Sequence, residues 1–263
     1  MKFFILLFFL SSLLFSKVYY SKVEPYEIRN ISSNVTGLVV SIDEDMIGKK
    51  LASQPYITID SELDRKELQS INKKLLSLKS IIQTNKKVLT NLETLVQKKQ
   101  VNYEKIKSLK IKSVVEKDRE FYDLVTSENL LLTTMKEIEN LNIQVADLKL
   151  RQAHLKRSIV DKNLNAEGFI LYSIEVRPGQ VVSIATSLAK IADISQAKLS
   201  IFLDEADVID AQTKKVYIDG KETEYKISRI LTVADSKNIS KYMAQIIIAP
   251  PKVFSKLVKI ELK

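Results

Sequence analysis

Few side chains in this sequence could carry out chemistry. There is no cysteine, which excludes a thiol nucleophile, disulfide bonds and a lipid-attachment cysteine. His154 is the only histidine, so a site that needs two imidazoles cannot be built, and most zinc-hydrolase designs are excluded. The adjacent acids Asp204 and Glu205 are typical of surface charge, and the sequence has no phosphate-binding loop or nucleophile elbow. We therefore expect a protein that is not an enzyme and uses no metal or cofactor.

One short cluster in the middle of the chain could instead bind a partner. Ser113-Val114-Val115-Glu116 has the pattern of a capping box, which begins a helix. Just before it, Leu109 and Ile111 are apolar at a turn where solvation favours polar residues. Lysines flank both of them: Lys107, Lys110 and Lys112. An apolar group with a basic rim is typical of a binding surface, provided that the surrounding elements hold it in the open.

The elements around this cluster are predicted to be two long helices. No glycine or proline occurs between Pro55 and Gly168, which indicates nearly continuous helix. Asp60 and Ser61 offer N-cap side chains, so a hairpin is predicted at 61–163 with its tip near 107–114. The arms have equal length, roughly 70 Å each at the helical rise per residue. Such arms can form an antiparallel coiled coil.

A heptad seam supports the coiled coil. In the first arm the steps of three and four residues fall on Leu68, Ile71, Leu75, Leu78, Ile82, Asn85, Leu89, Leu92, Val96, Lys99, Tyr103 and Ile106. Asn85 and Lys99 either fix the register or mark a loose part of the seam, and the sequence leaves both interpretations open. In the second arm the predicted seam is Phe121, Leu124, Glu128, Leu131, Met135, Ile138, Leu141, Val145, Leu148, Gln152, Leu155 and Ile159. The short step from Ile138 to Leu141 predicts a stammer.

Short β patterns on both sides of the hairpin repeat each other. Gly37 and Gly48 are eleven residues apart, as are Gly168 and Gly179, and apolar residues recur at matching offsets. We expect one β domain written in two halves, at 17–60 and 164–195. About five short strands at 196–263, with a helical turn near Glu205, predict a small barrel or sandwich. The sequence ends right after this pattern, so no further membrane-proximal domain is expected.

The N-terminal residues and the net charge bear on location. Residues 1–16 combine Lys2, an apolar run and Ser16, the pattern of a secretory signal peptide. Leu14 is larger than a signal peptidase prefers, so an uncleaved anchor is the alternative, and either way the bulk of the chain leaves the cytoplasm. The net charge of +9 could suit nucleic acid or an anionic membrane. Because the excess lies largely along the first helix as a solvated face, we expect no nucleic-acid partner.

These features together resemble the membrane fusion proteins, or HlyD-type periplasmic adaptors, over nearly the whole mature chain. The most specific match is the second half-motif, with Gly168, Pro178-Gly179-Gln180 and Ile191-Ala192-Asp193. The resemblance implies a mixed α and β fold, in which a lipoyl-like β domain is split by the α-helical hairpin and followed by a small β-barrel. It also implies a periplasmic subunit, associated with the inner membrane, that forms a ring-like oligomer. Such a subunit bridges an inner-membrane transporter, of the resistance-nodulation-division or ABC type, to a TolC-type outer-membrane channel for efflux or secretion.

The resemblance also assigns docking residues at the hairpin tip. The family has Arg, then Leu four residues on, then Ser seven further, and these spacings fall on Asn102, Ile106 and Ser113. Asn102 departs from the family pattern because it has no charge. Together with Leu109 and Glu116, these residues are the predicted partner-binding site.

Two other functions fit these features less well than an adaptor does. Lipoyl and biotinyl carriers modify a lysine on the turn between the β halves, but here the helical hairpin occupies that junction. An envelope coiled-coil scaffold or holdase chaperone would explain the hairpin without explaining the duplicated glycine motif. The sequence does not identify the transported substrate.

Overall fold

The computed structural model describes residues 17–231 and 241–263, so the predicted signal peptide at 1–16 lies outside the described residues. The chain divides into two compact units. One contains the described residues up to Asn34, residues 41–56 and the residues from Asn165 onward. The other contains 35–40 and 57–164. The predicted domain boundaries follow a different division and stay a prediction.

The second unit is dominated by two long helices. Helix α1 spans Glu62–Ser108 and α2 spans Val114–Asp161, which confirms the predicted long helical hairpin. The Asp60 carboxylate accepts a hydrogen bond from the Glu62 amide at 2.9 Å and satisfies one of the first amides of α1. Neither long helix, nor any other helix of the described residues, is apolar enough over a sufficient length to span a membrane.

The predicted seam of α1 is confirmed along its whole length. All of its positions from Leu68 to Ile106 are buried or half-buried, and Ile71, Leu75 and Leu92 are the most protected. Ile71 and Leu75 form a small core with Leu155 of α2 near the base of the hairpin. The period of 3.5 residues therefore identifies the face on which α1 contacts α2.

The predicted seam of α2 is wrong in its first part. Phe121 and Met135 are 43% and 46% exposed, whereas Ser127 and Thr134 are buried. With these two residues included, the protected face alternates steps of three and four without interruption, so the predicted stammer is absent. It comprises Leu124, Ser127, Leu131, Thr134, Ile138, Leu141, Val145, Leu148, Gln152, Leu155 and Ile159. Burial of these hydroxyls is possible because each donates to a carbonyl of its own helix, Ser127 to Asp123 and Thr134 to Leu130.

The two polar residues of the α1 seam behave differently. The Lys99 ammonium crosses to α2 and lies 2.9 Å from the Ser127 hydroxyl and 2.8 Å from the Asp123 carboxylate. This polar contact can form only when Lys99 of α1 lies beside Asp123 and Ser127 of α2. It therefore favours the interpretation that Lys99 fixes the register of the two helices. Asn85 has no such match, because its buried side-chain nitrogen has no hydrogen-bond partner among the described residues.

Three short strands hold the base of the hairpin: β3 (Gly37–Ile42), β4 (Ile57–Ile59) and β5 (Asn163–Leu164). They lie side by side in the order β5-β4-β3, with β4 and β5 antiparallel. A Cβ on Gly37 would lie 2.6 Å from the Ile59 side chain, so glycine is needed there for room. The Ile59 amide donates to the Lys162 carbonyl at 2.7 Å, which joins the start of α1 to the end of α2.

In the first unit, segments from both predicted β halves bond directly to each other. The Gly48 amide donates to the Leu171 carbonyl at 2.8 Å, and the amides of Leu51 and Gly168 exchange bonds with the Phe169 and Leu51 carbonyls. Gly168 has a φ of +91°, which glycine adopts without strain. Residues more than 110 positions apart in the sequence thus share one backbone ladder, as the duplicated glycine motif predicts. A short 3-10 helix, Glu44–Met46, precedes Gly48.

Most of the remaining strands of this unit form two open sheets. The four-stranded sheet has the order β1-β13-β9-β10, and the five-stranded sheet has the order β11-β12-β8-β2 with β6 also paired to β8. Their strands are β1 (Val18–Lys22), β2 (Glu24–Ser32), β6 (Ile170–Ile174), β8 (Ser187–Leu203), β9 (Val216–Ile218), β10 (Lys221–Glu222), β11 (Ile227–Ile230), β12 (Tyr242–Ile248) and β13 (Leu257–Leu262). The two-residue strand β7 (Val181–Val182) belongs to neither sheet. Neither sheet closes on itself within the described residues, so the predicted barrel is seen here as two sheets.

The core of this part lies between strands that are distant in the sequence. It includes the fully buried side chains of Leu199, Ile201, Ile246 and Ile260. The predicted helical turn near Glu205 is α3, Glu205–Val208. The predicted division at residues 195 and 196 falls inside β8, which pairs with β2 and β6 along its first part and with β12 along its last part.

A substitution at Asn85 tests the seam. Asn85→Leu should raise the free energy of unfolding by about 1 kcal/mol, because a buried donor without a partner is costly. Thermal and urea unfolding would measure the change. Asn91→Leu, at an exposed position of the same helix, is the matched control for helix propensity. A lower stability of Asn85→Leu than of the control would contradict this description of the seam.

Candidate functional site

The hairpin turns between Ser108 and Val114, and hydrogen bonds fix both sides of the turn. Leu109 ends α1 in an extended conformation, and its amide donates to the Ile106 carbonyl at 3.1 Å. The Ser108 hydroxyl donates to the Lys105 carbonyl at 2.7 Å. The last turn of α1 is therefore closed by local bonds and needs no partner to form.

The start of α2 is a complete capping box, as predicted from Ser113 and Glu116. The Glu116 amide donates to the Ser113 hydroxyl at 3.2 Å, and the Ser113 amide donates to the Glu116 carboxylate at 3.0 Å. The Lys112 ammonium lies 2.9 Å from the other oxygen of that carboxylate. Ser113 and Glu116 are thus engaged in the structure of the tip itself.

These contacts lower the pKa of Glu116 to about 2. The hydrogen bond from Lys112 is the largest cause, followed by those from the Ser113 amide and hydroxyl. The carboxylate is consequently ionised at any pH above about 4, where it also complements the positive end of the α2 dipole.

The turn exposes an unusual amount of apolar surface. Ile111 is 90% exposed, Val115 77%, Val114 72% and Leu109 42%. We call these four residues the tip patch. Val114 and Val115 were not among the predicted docking residues, although they lie in the first turn of α2, before the seam begins, and that position is the signal that could have identified them.

The predicted docking residues do not all lie on this surface. Leu109 belongs to the tip patch, whereas Ile106 is half-buried as part of the α1 seam. Asn102 is exposed one helical turn before Ile106. The structure therefore brings Leu109, Ser113 and Glu116 together at the turn and places Asn102 and Ile106 below it.

Basic side chains surround the tip patch. The lysines at 105, 107, 110 and 112 are all exposed. Lys107 lies 5.7 Å from the centre of the Tyr103 ring, a cation–π contact. The Tyr103 and Phe121 rings, 5.6 Å apart, join α1 and α2 just below the turn. An apolar point with a basic rim can bind a partner that offers an apolar pocket with acidic edges.

The described residues contain no group of three or more histidine, cysteine, aspartate or glutamate side chains that could hold a metal ion. The Asp204 carboxylate forms ion pairs with Lys17 and Lys241. These pairs agree with its interpretation as surface charge.

Several solved structures share this fold. MacA from Actinobacillus actinomycetemcomitans matches with a TM-score of 0.68 and 16% identity, over 94% of this chain and 78% of that one. A putative efflux transporter from Bacteroides eggerthii matches with a TM-score of 0.58 and 12% identity, over 94% and 68%. The membrane fusion protein Spr0693 from Streptococcus pneumoniae matches with a TM-score of 0.54 and 10% identity, over 94% and 99%. At these identities the likeness establishes the fold.

Compared by sequence, the chain matches no protein-family model and no curated protein.

The capping box predicts a pH-dependent stability. Because the pKa of Glu116 is depressed from its ordinary 4.5 to about 2, its stabilisation is present above the ordinary value and lost as pH falls through about 2. Wild type should therefore unfold at a higher temperature than Glu116→Gln at pH 7, and the difference should disappear near pH 2.

Glu93→Gln, at an exposed α1 position, is the control and should show no such convergence. A difference between wild type and Glu116→Gln that is the same at pH 7 and pH 2 would mean that the carboxylate does not stabilise the tip.

Proposed function

We propose that this chain is a periplasmic adaptor of the membrane fusion protein family. It would be secreted through its N-terminal signal peptide and would bridge an inner-membrane transporter to a TolC-type outer-membrane channel for efflux or secretion. The fold supports this proposal, because it is shared over 94% of the chain with a protein named a membrane fusion protein and with one named a putative efflux transporter. The role is structural, and no reaction is assigned to the chain.

The tip patch is the observation that carries the proposal. Ile111, Val114 and Val115 are exposed at the end of the hairpin opposite to β4 and β5, where neither helix can cover them. Contiguous exposed apolar residues commonly mark a protein interface. Because the turn is already closed by its own hydrogen bonds, the patch is preorganised, and docking would order little additional chain.

The charge around the patch specifies the partner surface. Lys105, Lys107 and Lys110 have no ion-pair partner among the described residues, and Lys112 is paired to Glu116. We propose that the channel offers acidic residues around an apolar depression. Ser113 and Glu116 then act mainly by holding the turn, while Leu109 and its apolar neighbours make the contact.

The domain assignments that accompany this function are also proposals. Residues 17–60 and 164–195 would form the lipoyl-like domain, whose halves meet in the ladder between Gly48 and Leu171. Residues 196–263 would form the β-barrel domain, and they supply β9 to β13 and the end of β8 to the two open sheets.

Charge on the hairpin supports self-association into a ring. Residues 77–105 of α1 carry six lysines and two acids, whereas residues 120–148, at the same levels of α2, carry six acids and one lysine. The hairpin is thus basic along one edge and acidic along the other. Copies aligned in the same direction would place the basic edge of one beside the acidic edge of the next, a head-to-tail contact that can close into a ring.

Substitutions in the tip patch test the docking. Ile111→Glu and Val115→Glu should abolish export and copurification of an outer-membrane channel, since each places a carboxylate in an apolar contact. Truncation of such an anchor typically costs about 1–3 kcal/mol of binding free energy. Helicity and melting temperature should stay unchanged. Ile106→Asp is a poorer test because Ile106 belongs to the seam.

Leu76→Glu is the matched control, because Leu76 is an exposed apolar residue of α1 far from the tip. Normal export by both tip variants, or equal loss in the control, would contradict docking through the tip patch. Copurification of unfolded proteins in place of a transporter and channel would favour the holdase alternative.

Charge reversal tests the proposed contact between copies. In-cell crosslinking of the wild type should give a ladder of species above the dimer. Lys86→Glu with Lys87→Glu should abolish this ladder, because residues 77–105 then carry four lysines and four acids and the edge is no longer basic. Adding Glu137→Lys with Glu139→Lys on α2 should restore much of it. Lys221→Glu with Lys226→Glu, on exposed residues of the other unit, should leave the ladder unchanged. An undiminished ladder in the first variant would place the contact elsewhere.

A further inference from the structure

A shallow groove crosses three strands of the five-stranded sheet. Ala192 of β8 is directly opposite Ile28 of β2 on one side and Ile170 of β6 on the other. Residues directly opposite each other in a sheet project from the same face. The small alanine between two isoleucines leaves a depression, in which Ala192 is 2% exposed while Ile28 is 49% exposed. We call this the Ala192 groove.

The walls of the Ala192 groove are mostly apolar. Tyr172 of β6 is 59% exposed and lines the groove together with the exposed Ile28. Exposed apolar residues that lie together in this way commonly mark a binding site. Ile194, Pro25 and Phe254, all half-buried, complete the apolar lining. The groove is open to solvent and has a volume of about 450 Å³, within the range of small-molecule sites, about 300–1,000 Å³.

Two lysines lie at one end of the groove. Lys22 ends β1 and Lys198 lies in β8, and both line the groove. Neither ammonium forms an ion pair with a described residue, although Glu24 is the cross-strand neighbour of Lys198. Lys198 is half-buried, and its ammonium has no carboxylate contact among the described residues. An anion at the end of the groove that Lys22 and Lys198 line could accept charge-assisted hydrogen bonds from these lysines.

We propose that the Ala192 groove binds a single-chain amphipathic organic anion. Its carboxylate, sulfonate or sulfate group would lie at Lys22 and Lys198, and its apolar chain would follow Ile28, Ala192 and Ile170 toward Tyr172. This proposal rests on residues that line the five-stranded sheet, and it does not depend on docking by the hairpin tip.

Decanoate and decylamine test this site, because both have an unbranched chain of ten carbons and they differ in the charge of the head group. Calorimetric titration of the full chain should show saturable binding of decanoate and at least tenfold weaker binding of decylamine. Lys22→Gln with Lys198→Gln should weaken decanoate binding about tenfold, the scale of a lost charge-assisted contact. Lys221→Gln with Lys226→Gln is the control for net charge and should leave the affinity unchanged.

The apolar half of the site needs its own variant. Tyr172→Ala removes an exposed side chain, so the fold should be retained and the decanoate affinity should fall severalfold. Ala192→Leu should fill the groove and abolish decanoate binding. Its far-ultraviolet circular dichroism, compared with that of wild type, would show whether the variant is folded. Non-saturable binding of decanoate, or equal affinity for decylamine, would overturn the proposal. So would a decanoate affinity that is unchanged both in the Lys22 and Lys198 variant and in a folded Tyr172→Ala protein.

Discussion

The antiparallel pairing of α1 and α2 is the constraint on which the rest of the structure depends. Two helices of 47 and 48 residues separate β4 from β5, which pair at the base of the hairpin. The helices must therefore run antiparallel, so that the end of α2 lies beside the start of α1. At the base, the Asp64 carboxylate accepts from the Ser158 hydroxyl at 2.7 Å and lies 2.9 Å from the Lys162 ammonium. Burial alone would raise the pKa of Asp64, but these two contacts outweigh it and lower the pKa. A shift in the register of the seam would separate these groups and break the pairing of β4 with β5.

The seam also explains why the tip can be apolar and still folded. Its apolar residues cover the two helices along most of their length, and the contact of Lys99 with Asp123 and Ser127 sets the register nearer the turn. Beyond that level, Tyr103 and Phe121 and the capping box complete the hairpin locally. The tip patch therefore contributes little to folding. Its apolar character is better explained by a partner, which is the physical basis of the proposed docking function.

Much of this architecture follows from patterns within single segments. The absence of glycine and proline, the heptads of α1 and the capping box are local signals, and each was sufficient to place its element. The seam of α2 was misplaced because apolarity alone favoured Phe121 and Met135 over the buried hydroxyls of Ser127 and Thr134. Hydrogen bonds within the helix, which a pattern of residue types does not reveal, decide that case. The continuity of β8 was likewise missed, because it depends on strands that pair with it from distant parts of the chain. The exposure of Val114 and Val115 depends on where the seam ends, which became clear only from the paired helices.

The most direct test of tip docking is a contact measurement in living cells. A photoreactive amino acid placed at Ile111, with the same residue placed at Leu76 for comparison, would crosslink whatever lies within a few ångströms of each position. The crosslinked protein would be identified by mass spectrometry. Docking through the tip predicts an outer-membrane channel captured at Ile111 and not at Leu76. Capture of no channel at Ile111, or of the same proteins at both positions, would contradict it.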